Sequence, residues 1–153
     1  MTQDYSHSKT HRIDWPSFHR DVALLAENLA GKGPFTRIVA VARGGLAPAA
    51  LLSRMLDLRL VDTVCIASYD EKIQRSGEPV LLKGVEAEGG GAGWLVVDDM
   101  ADSGKTLKAV RRLLPKAHIA TVYAKPLGAP LVDTLAVTVE QSLWLVFPWD
   151  EDL

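Results

Sequence analysis

The sequence predicts an α/β fold in which a mainly parallel central sheet is flanked by helices. Short runs rich in β-branched residues alternate along the chain with segments of helical periodicity, and strands separated by helices usually pair in parallel. The length of 153 residues indicates one domain with room for a core. With 48% apolar and 24% charged residues, the composition is that of a globular protein and not of a disordered one.

The first helix is expected to follow Asp14, whose carboxylate can cap its amino end, with Pro16 in its first turn. Gly31 and Gly33 mark its end. The residues before it, 1–12, are polar and are expected to form a mobile tail, so that the single domain covers 13–153. The apolar residues at helical spacing are Phe18, Val22, Leu25 and Leu29.

The next elements are read from apolar runs and turn residues. A buried strand is expected at 36–42, and an Arg-Gly-Gly turn at 43–45 leads into an apolar helix at 47–56. A second strand is expected at 61–69, followed by a polar segment without periodicity. A further short strand is possible at 80–83.

Strands and helices also alternate in the second half of the chain. A glycine-rich connection at 84–93 precedes a third clear strand at 94–99. A helix is expected at 104–114, where Pro115 ends it. A fourth strand is expected at 118–124 and a fifth at 135–140.

Composition excludes several classes of protein. A formal charge of −2 gives no general attraction to nucleic acid or to anionic membranes. A single cysteine, Cys65, rules out an internal disulfide framework. No stretch approaches the ~20 apolar residues of a membrane span, and the first residues lack the apolar core of a signal peptide. We therefore expect a cytoplasmic protein that binds no nucleic acid.

The stretch WLVVDDMADSGKTL, 94–107, is the strongest motif, because it places three carboxylates before an ending suited to phosphate. A nucleotide-triphosphate loop would need glycine at position 99, where Asp99 stands. A simple capped helix would account for Asp102 and Ser103. It would leave Asp98 unexplained beside Asp99 at the tip of an apolar strand.

A sugar phosphate satisfies both halves of this motif. The turn at 102–106 offers amides, hydroxyls and a helix amino terminus to a monophosphate. Asp98 and Asp99 are acceptors, which suit the paired hydroxyls of a ribose, directly or through a divalent cation. Because ligands of parallel sheets bind beyond the carboxyl ends of strands, the loop after Ala42 is expected to join this site.

Two acids followed by Asp-Ser-Gly-Lys-Thr resemble the phosphoribosyl-pyrophosphate (PRPP) signature of type I phosphoribosyltransferases. The segments ARGGLAPAALL, VDTVCIASYD, YAKPLGAPLVD and WLVFPWD come in the order and spacing of the bacterial xanthine-guanine members. The resemblance covers 13–150. It implies that family's fold with a small carboxyl-terminal hood, and the conversion of a 6-oxopurine and PRPP into a nucleoside monophosphate and pyrophosphate.

The resemblance also implies roles for the motif. Asp98 and Asp99 would hold the ribose 2- and 3-hydroxyls, with Asp99 also positioning Mg²⁺, and Asp102 would exchange a proton with purine N7. Lys105 can instead point to solvent. The residues expected to bind PRPP and its 5-phosphate are Asp98, Asp99, Met100, Ala101, Asp102, Ser103, Gly104, Lys105 and Thr106.

Pyrophosphate is expected, by the same resemblance, to bind Arg43, Gly44 and Arg75. In this family the peptide bond after the first residue of the 43–45 loop is often cis. The alternative for this loop is an ordinary Gly-Gly turn.

The base pocket implied by the resemblance combines Asp102 with residues near the carboxyl terminus. Lys125 would donate to purine O6, Trp144 would stack on the base, and the carbonyls of Leu145 and Asp150 would accept from position 2. The alternative for Lys125 is a solvated lysine before a proline.

The function expected from these residues is a purine phosphoribosyltransferase that acts on guanine and xanthine and less well on hypoxanthine. The alternatives are a PRPP-binding regulator without transferase activity and an enzyme for adenine or a pyrimidine. A homodimer or homotetramer, with at most peripheral association with the inner membrane, is expected from the family alone.

Overall fold

A six-stranded sheet in the order β4-β3-β2-β5-β6-β7 forms the centre of the protein in a computed structural model, which describes residues 9–67 and 78–150. The strands are β1 Thr10–Arg12, β2 Arg37–Ala42, β3 Val61–Ala67, β4 Val80–Lys83, β5 Trp94–Ala101, β6 His118–Ala124, β7 Thr134–Thr138 and β8 Trp144–Val146. The helices are α1 Trp15–Leu29, α2 Leu46–Met55 and α3 Lys105–Leu113.

All pairs in this sheet are parallel except β3–β4, which is antiparallel at the edge. The central strands β2 and β5 are neighbours, and β6 pairs with the other side of β5. The carboxyl ends of β2, β5 and β6 therefore meet at one edge of the sheet. The predicted fold class is confirmed.

Helices cover both faces of the sheet. The apolar residues of α1 and α2 pack with alternate residues of β2 and β5 in one core cluster, and those of α3 pack with the intervening residues in a second. Asp14 caps α1 as predicted, since its Oδ1 accepts from the Ser17 amide at 2.8 Å. The four apolar residues predicted for the inner face of α1 are all buried: Phe18, Val22, Leu25 and Leu29.

A separate two-stranded parallel sheet joins the two ends of the chain. In it, β1 pairs with β8, and the Ile13 amide donates to the Val146 carbonyl at 2.9 Å. Residues 10–12 were expected to belong to a mobile tail, but in the structure they form β1. The sequence pattern does not predict this sheet, because its strands have three residues each and are held by main-chain hydrogen bonds between distant segments.

Element boundaries otherwise differ little from expectation. β5 continues to Ala101, two residues further than predicted, and β7 is shorter than the expected strand at its carboxyl end. Within the described ranges, no helix has the length and apolar character needed to cross a bilayer.

Candidate active site

Two adjacent carboxylates stand near the carboxyl end of β5. Asp98 is only 8% exposed and Asp99 is half-buried. Asp98 accepts from the amide of Asp99 at 2.9 Å, and Asp99 accepts from the amide of Met100 at 2.7 Å. Each carboxylate is thus held by the next amide of its own strand.

Burial raises the pKa of the Asp98 carboxyl well above its ordinary value, and the charge of Asp99 raises it further. Burial also raises the pKa of Asp99, and the charge of the Asp150 carboxylate raises it further. Both carboxyls therefore resist ionisation in the protein alone. A ligand that donates hydrogen bonds or carries positive charge would stabilise their charged forms.

The loop after β2 lies directly against Asp99. A Cβ added to Gly44 would come within 2.6 Å of Asp99 Oδ2, so the two loops are in close contact only because residue 44 is glycine. Arg43 is exposed beside it. The cis peptide bond at this loop is Ala42–Arg43, one residue earlier than expected, so it precedes the loop's first residue. Arg75, the third expected pyrophosphate ligand, lies outside the described residues.

The motif turns into α3 without a side-chain cap. Gly104 occupies the cap position with φ of +87°, a left-handed conformation that favours glycine, and it has no side chain with which to cap the helix. Ser103 Oγ accepts from the Lys105 amide at a long 3.4 Å. The capped-helix interpretation therefore accounts poorly for Ser103. Lys105 is exposed, which agrees with the alternative in which it points to solvent, and Thr106 is half-buried in the first turn.

A buried ion pair connects this loop to the end of β6. Lys125 is 1% exposed, and its Nζ lies 3.4 Å from Asp102 Oδ2, while the Asp102 side chain is 31% exposed. The Lys125 amide donates to the carbonyl of Ala101 at 2.9 Å, which fixes the two segments side by side. The alternative of a solvated lysine at 125 is wrong.

Gln141 is a residue that the sequence analysis missed. Its Nε2 donates to Asp102 Oδ1 at 2.9 Å, and its Oε1 accepts from the Leu127 amide at 3.0 Å. It lies in the segment between β7 and β8, where no motif marks it. A single amide side chain in a loop carries no sequence signal, and only its two hydrogen-bond partners identify it.

The residues predicted for the base pocket near the carboxyl terminus differ in exposure and in their contacts. Trp144 begins β8 and is 46% exposed, and its amide donates to the Lys9 carbonyl at 2.8 Å. The side chain of Leu145 is buried. Asp150 Oδ2 accepts from the Phe147 amide at 2.9 Å, and the effect of Asp150 on the pKa of Asp99 indicates that these carboxylates are near each other.

The donor set fits a hard divalent cation. The acids at the end of β5 are oxygen ligands, and no group of three or more histidine, cysteine or acidic residues in the described chain could hold a metal by itself. Mg²⁺ commonly binds through one or two carboxylates and completes its shell with water and substrate oxygens. Asp99 thus suits a cation that arrives with a phosphorylated ligand.

These features define a class of protein. The family model described as the phosphoribosyl transferase domain matches residues 13–153, and the chain belongs to this family. The fold agrees: a purine phosphoribosyltransferase from Pyrococcus horikoshii, 29% identical, superposes with a TM-score of 0.78 over 94% of this chain and 96% of that one.

Sequence relatives identify a more particular group. The chain is 49% identical to the xanthine-guanine phosphoribosyltransferase of Desulfotalea psychrophila, over 99% of this chain and 92% of the relative. It is 50% identical to the enzyme of the same name from Nitratidesulfovibrio vulgaris, over 95% of this chain and 87% of the relative. A xanthine-guanine-hypoxanthine phosphoribosyltransferase from Helicobacter pylori has a TM-score of 0.77 at 25% identity, over 94% of this chain and 95% of that one.

Proposed function

We propose that this protein is a purine-salvage phosphoribosyltransferase that converts guanine or xanthine, and hypoxanthine less well, with PRPP into the nucleoside monophosphate and pyrophosphate. The observation that carries the substrate class is the buried Lys125–Asp102 pair, whose Nζ and Oδ2 lie 3.4 Å apart. Asp102 of this pair precedes the amino terminus of α3 by three residues, and Lys125 follows β6. The xanthine-guanine relatives support the same conclusion.

The pair complements one edge of a 6-oxopurine. In guanine, xanthine and hypoxanthine, O6 and N7 are neighbouring atoms on that edge. Lys125 can only donate, which suits O6, and the Asp102 carboxylate can accept a proton from N7–H. Adenine carries an amino group at position 6, so it would place a donor against the Lys125 ammonium and form no hydrogen bond with it.

Two parts of the β5–α3 segment are proposed to bind different groups of the donor substrate, PRPP. The 5-phosphate is assigned to the Ser103–Thr106 turn, where Gly104 opens the helix end and Lys105 faces solvent. The ribose diol is assigned to Asp98 and Asp99. Their raised pKa values mean that the diol's hydroxyl donors would stabilise charges that the protein alone stabilises poorly.

The chemistry follows from this placement. A purine protonated at N7 has a free electron pair on N9, which attacks C1 of the ribose as the bond from C1 to the pyrophosphate oxygen breaks. Positive charge develops on the ring in the transition state, and nearby carboxylates stabilise it. As the N9–C1 bond forms, the N7 proton passes to Asp102, so that neutral purine nucleotide is left.

Pyrophosphate is assigned to the loop after β2, through Arg43 and the main chain at Gly44, which lies against Asp99. Arg75 remains a predicted third contact. Mg²⁺ is proposed as the cofactor, held by Asp99, where it would neutralise charge on the pyrophosphate.

The base pocket is completed in the proposal by Trp144 and by two carbonyls. Exposure of the Trp144 ring leaves it able to stack on a base. Leu145 and Asp150 are proposed to accept from the 2-amino group of guanine through their main-chain oxygens, because the Leu145 side chain is buried and the Asp150 carboxylate is engaged by the Phe147 amide.

A cytoplasmic homodimer or homotetramer that does not bind nucleic acid is proposed as the working form. Exposed large apolar side chains at and beside the β3–β4 edge support self-association, namely Leu60, Val61, Leu81 and Leu82. Any membrane association is proposed to be peripheral.

The direct test supplies protein, Mg²⁺ and PRPP with each purine and measures nucleotide and pyrophosphate. The proposal predicts both products with guanine and with xanthine, and little with adenine. Binding of PRPP without product from any base would instead identify a regulator, and preference for adenine would refute the assigned roles of Lys125 and Asp102.

A further inference from the structure

Gln141 connects three loops at the carboxyl edge of the sheet. Its amide nitrogen reaches Asp102 after β5 at 2.9 Å, and its amide oxygen reaches Leu127 after β6 at 3.0 Å. Its own segment after β7 is anchored there, because the Val139 amide donates to the Ala124 carbonyl at 3.0 Å, beside Lys125. The residue thus spans loops that are distant in sequence.

The chemistry of its partners fixes the orientation of the Gln141 amide. The Leu127 main-chain N–H can only donate, so the side-chain oxygen must face it. The side-chain nitrogen must then face Asp102 and donate to Oδ1. Lys125 Nζ faces the other oxygen, Oδ2, from the end of β6.

This arrangement restricts rotation of the Asp102 carboxylate. The torsion that turns an aspartate carboxylate is broad and roughly two-fold. The Asp102 side chain is 31% exposed, so water competes for its oxygens. With Gln141 on Oδ1, the plane of the carboxylate is set and Oδ2 is directed toward Lys125.

We propose that Gln141 is a positioning residue for base transfer, which holds Asp102 Oδ1 so that Oδ2 faces the N7–H of a 6-oxopurine bound at Lys125. The inference rests on the proposed function and deepens it. Gln141 acts through Asp102 and has no assigned contact with PRPP. Its loss is therefore expected to slow turnover and to leave binding of the donor substrate unchanged.

Two variants and one control test the inference. Gln141→Met keeps the length of the side chain and removes both hydrogen bonds, whereas Gln141→Glu keeps an acceptor for Leu127 and replaces the donor to Asp102 with an acid. The control is Ser142→Ala, at the exposed neighbouring position. Each is assayed for kcat and KM with guanine and PRPP, together with its thermal unfolding midpoint.

Gln141→Met is expected to lower kcat with guanine by about tenfold to a hundredfold, the range for losing a hydrogen bond to a charged group. KM for PRPP is expected to match that of Ser142→Ala. In Gln141→Glu, two acids would share a proton, so the acidic limb of the pH profile of kcat/KM for guanine is expected to move to higher pH.

A purely structural role predicts a different pattern, in which activity falls equally at every pH and in proportion to the loss of thermal stability. That pattern, or a Gln141→Met kcat equal to that of the control, would overturn the positioning role while the wild type remained active. If the wild type forms no nucleotide with any purine, the proposed function itself fails, and the inference fails with it.

Discussion

Lys125 Nζ and Asp102 Oδ2 lie 3.4 Å apart at the ends of neighbouring parallel strands, although Lys125 is 1% exposed. A buried ammonium group requires a partner, and this one faces a carboxylate that is one-third exposed. The pair is thus stabilised from inside the protein and is open to a ligand on one side.

Replacing Lys125 with methionine is expected to impair recognition of O6. The variant loses a charged donor to the base, so kcat/KM with hypoxanthine should fall about tenfold to a hundredfold. Discrimination against adenine should fall with it. Steady-state kinetics with both bases measure this. Lys116→Met, at an exposed position, is the control and should retain the wild-type ratio.

Asp102→Asn should reduce turnover much more than donor binding. The amide cannot take the N7 proton, and loss of general-base assistance costs about a hundredfold to ten-thousandfold. Titration with PRPP should show little change in Kd. Asp62→Asn, which alters a surface pair with Lys83, should behave as wild type. Equal losses in turnover and in donor affinity would refute the proton role.

Asp98→Asn should stabilise the protein at neutral pH and abolish activity. Burial raises the pKa of Asp98, so the folded state binds its proton more tightly than the unfolded state, and stability falls as the pH rises toward and through that raised pKa. Removing the charge should therefore raise the thermal midpoint at pH 7, by about 2–4 °C for each kcal/mol gained. Below about pH 4 the advantage should disappear, because Asp98 is then protonated in both states.

Asp133→Asn is the control, because the opposite change in thermal stability at pH 7 is expected for it. Burial raises the pKa of Asp133, but hydrogen bonds from the Ile119 amide and Arg111 outweigh it and leave the pKa lowered. Its charge therefore contributes stability above the unfolded-state pKa, and this is lost as the pH falls. The variant should melt lower than wild type at pH 7. A higher midpoint for Asp133→Asn, or a lower one for Asp98→Asn, would contradict this account of charge burial.

Gly44→Ala should weaken binding of PRPP while the fold is retained. The added Cβ would come within 2.6 Å of Asp99 Oδ2, so the Asp99 carboxylate or the loop must move. KM for PRPP and the Mg²⁺ concentration needed for half-maximal activity should both rise. Gly84→Ala is the matched control, because a Cβ there would meet only Leu81 Cδ2, at 3.7 Å. Unchanged donor kinetics in Gly44→Ala would argue against a shared site for the two loops.

The sequence predicted most of the fold because its strands and helices carry strong local patterns. Apolar β-branched runs marked β2, β5 and β6, and the Asp14 cap marked α1. The β1–β8 sheet was missed, because it depends on main-chain pairing between the two ends of the chain and not on a side-chain pattern.

Several residues of the proposed site were named from the sequence. Asp98 and Asp99 could be placed from their position at a strand end, and Asp102 and Lys125 from a family resemblance. Gln141 could not be found, since an isolated amide in a loop becomes informative only when its two partners are known. The position of the cis bond was also predicted one residue too late.

The most direct test of the account is a structure of the protein with guanosine 5′-monophosphate. The account predicts the phosphate on the amides of residues 103–106, the ribose diol on Asp98 and Asp99, and the base with O6 at Lys125 Nζ and N7 at Asp102. A nucleotide whose phosphate lies away from the α3 amino terminus, and whose base contacts neither Lys125 nor Asp102, would contradict it.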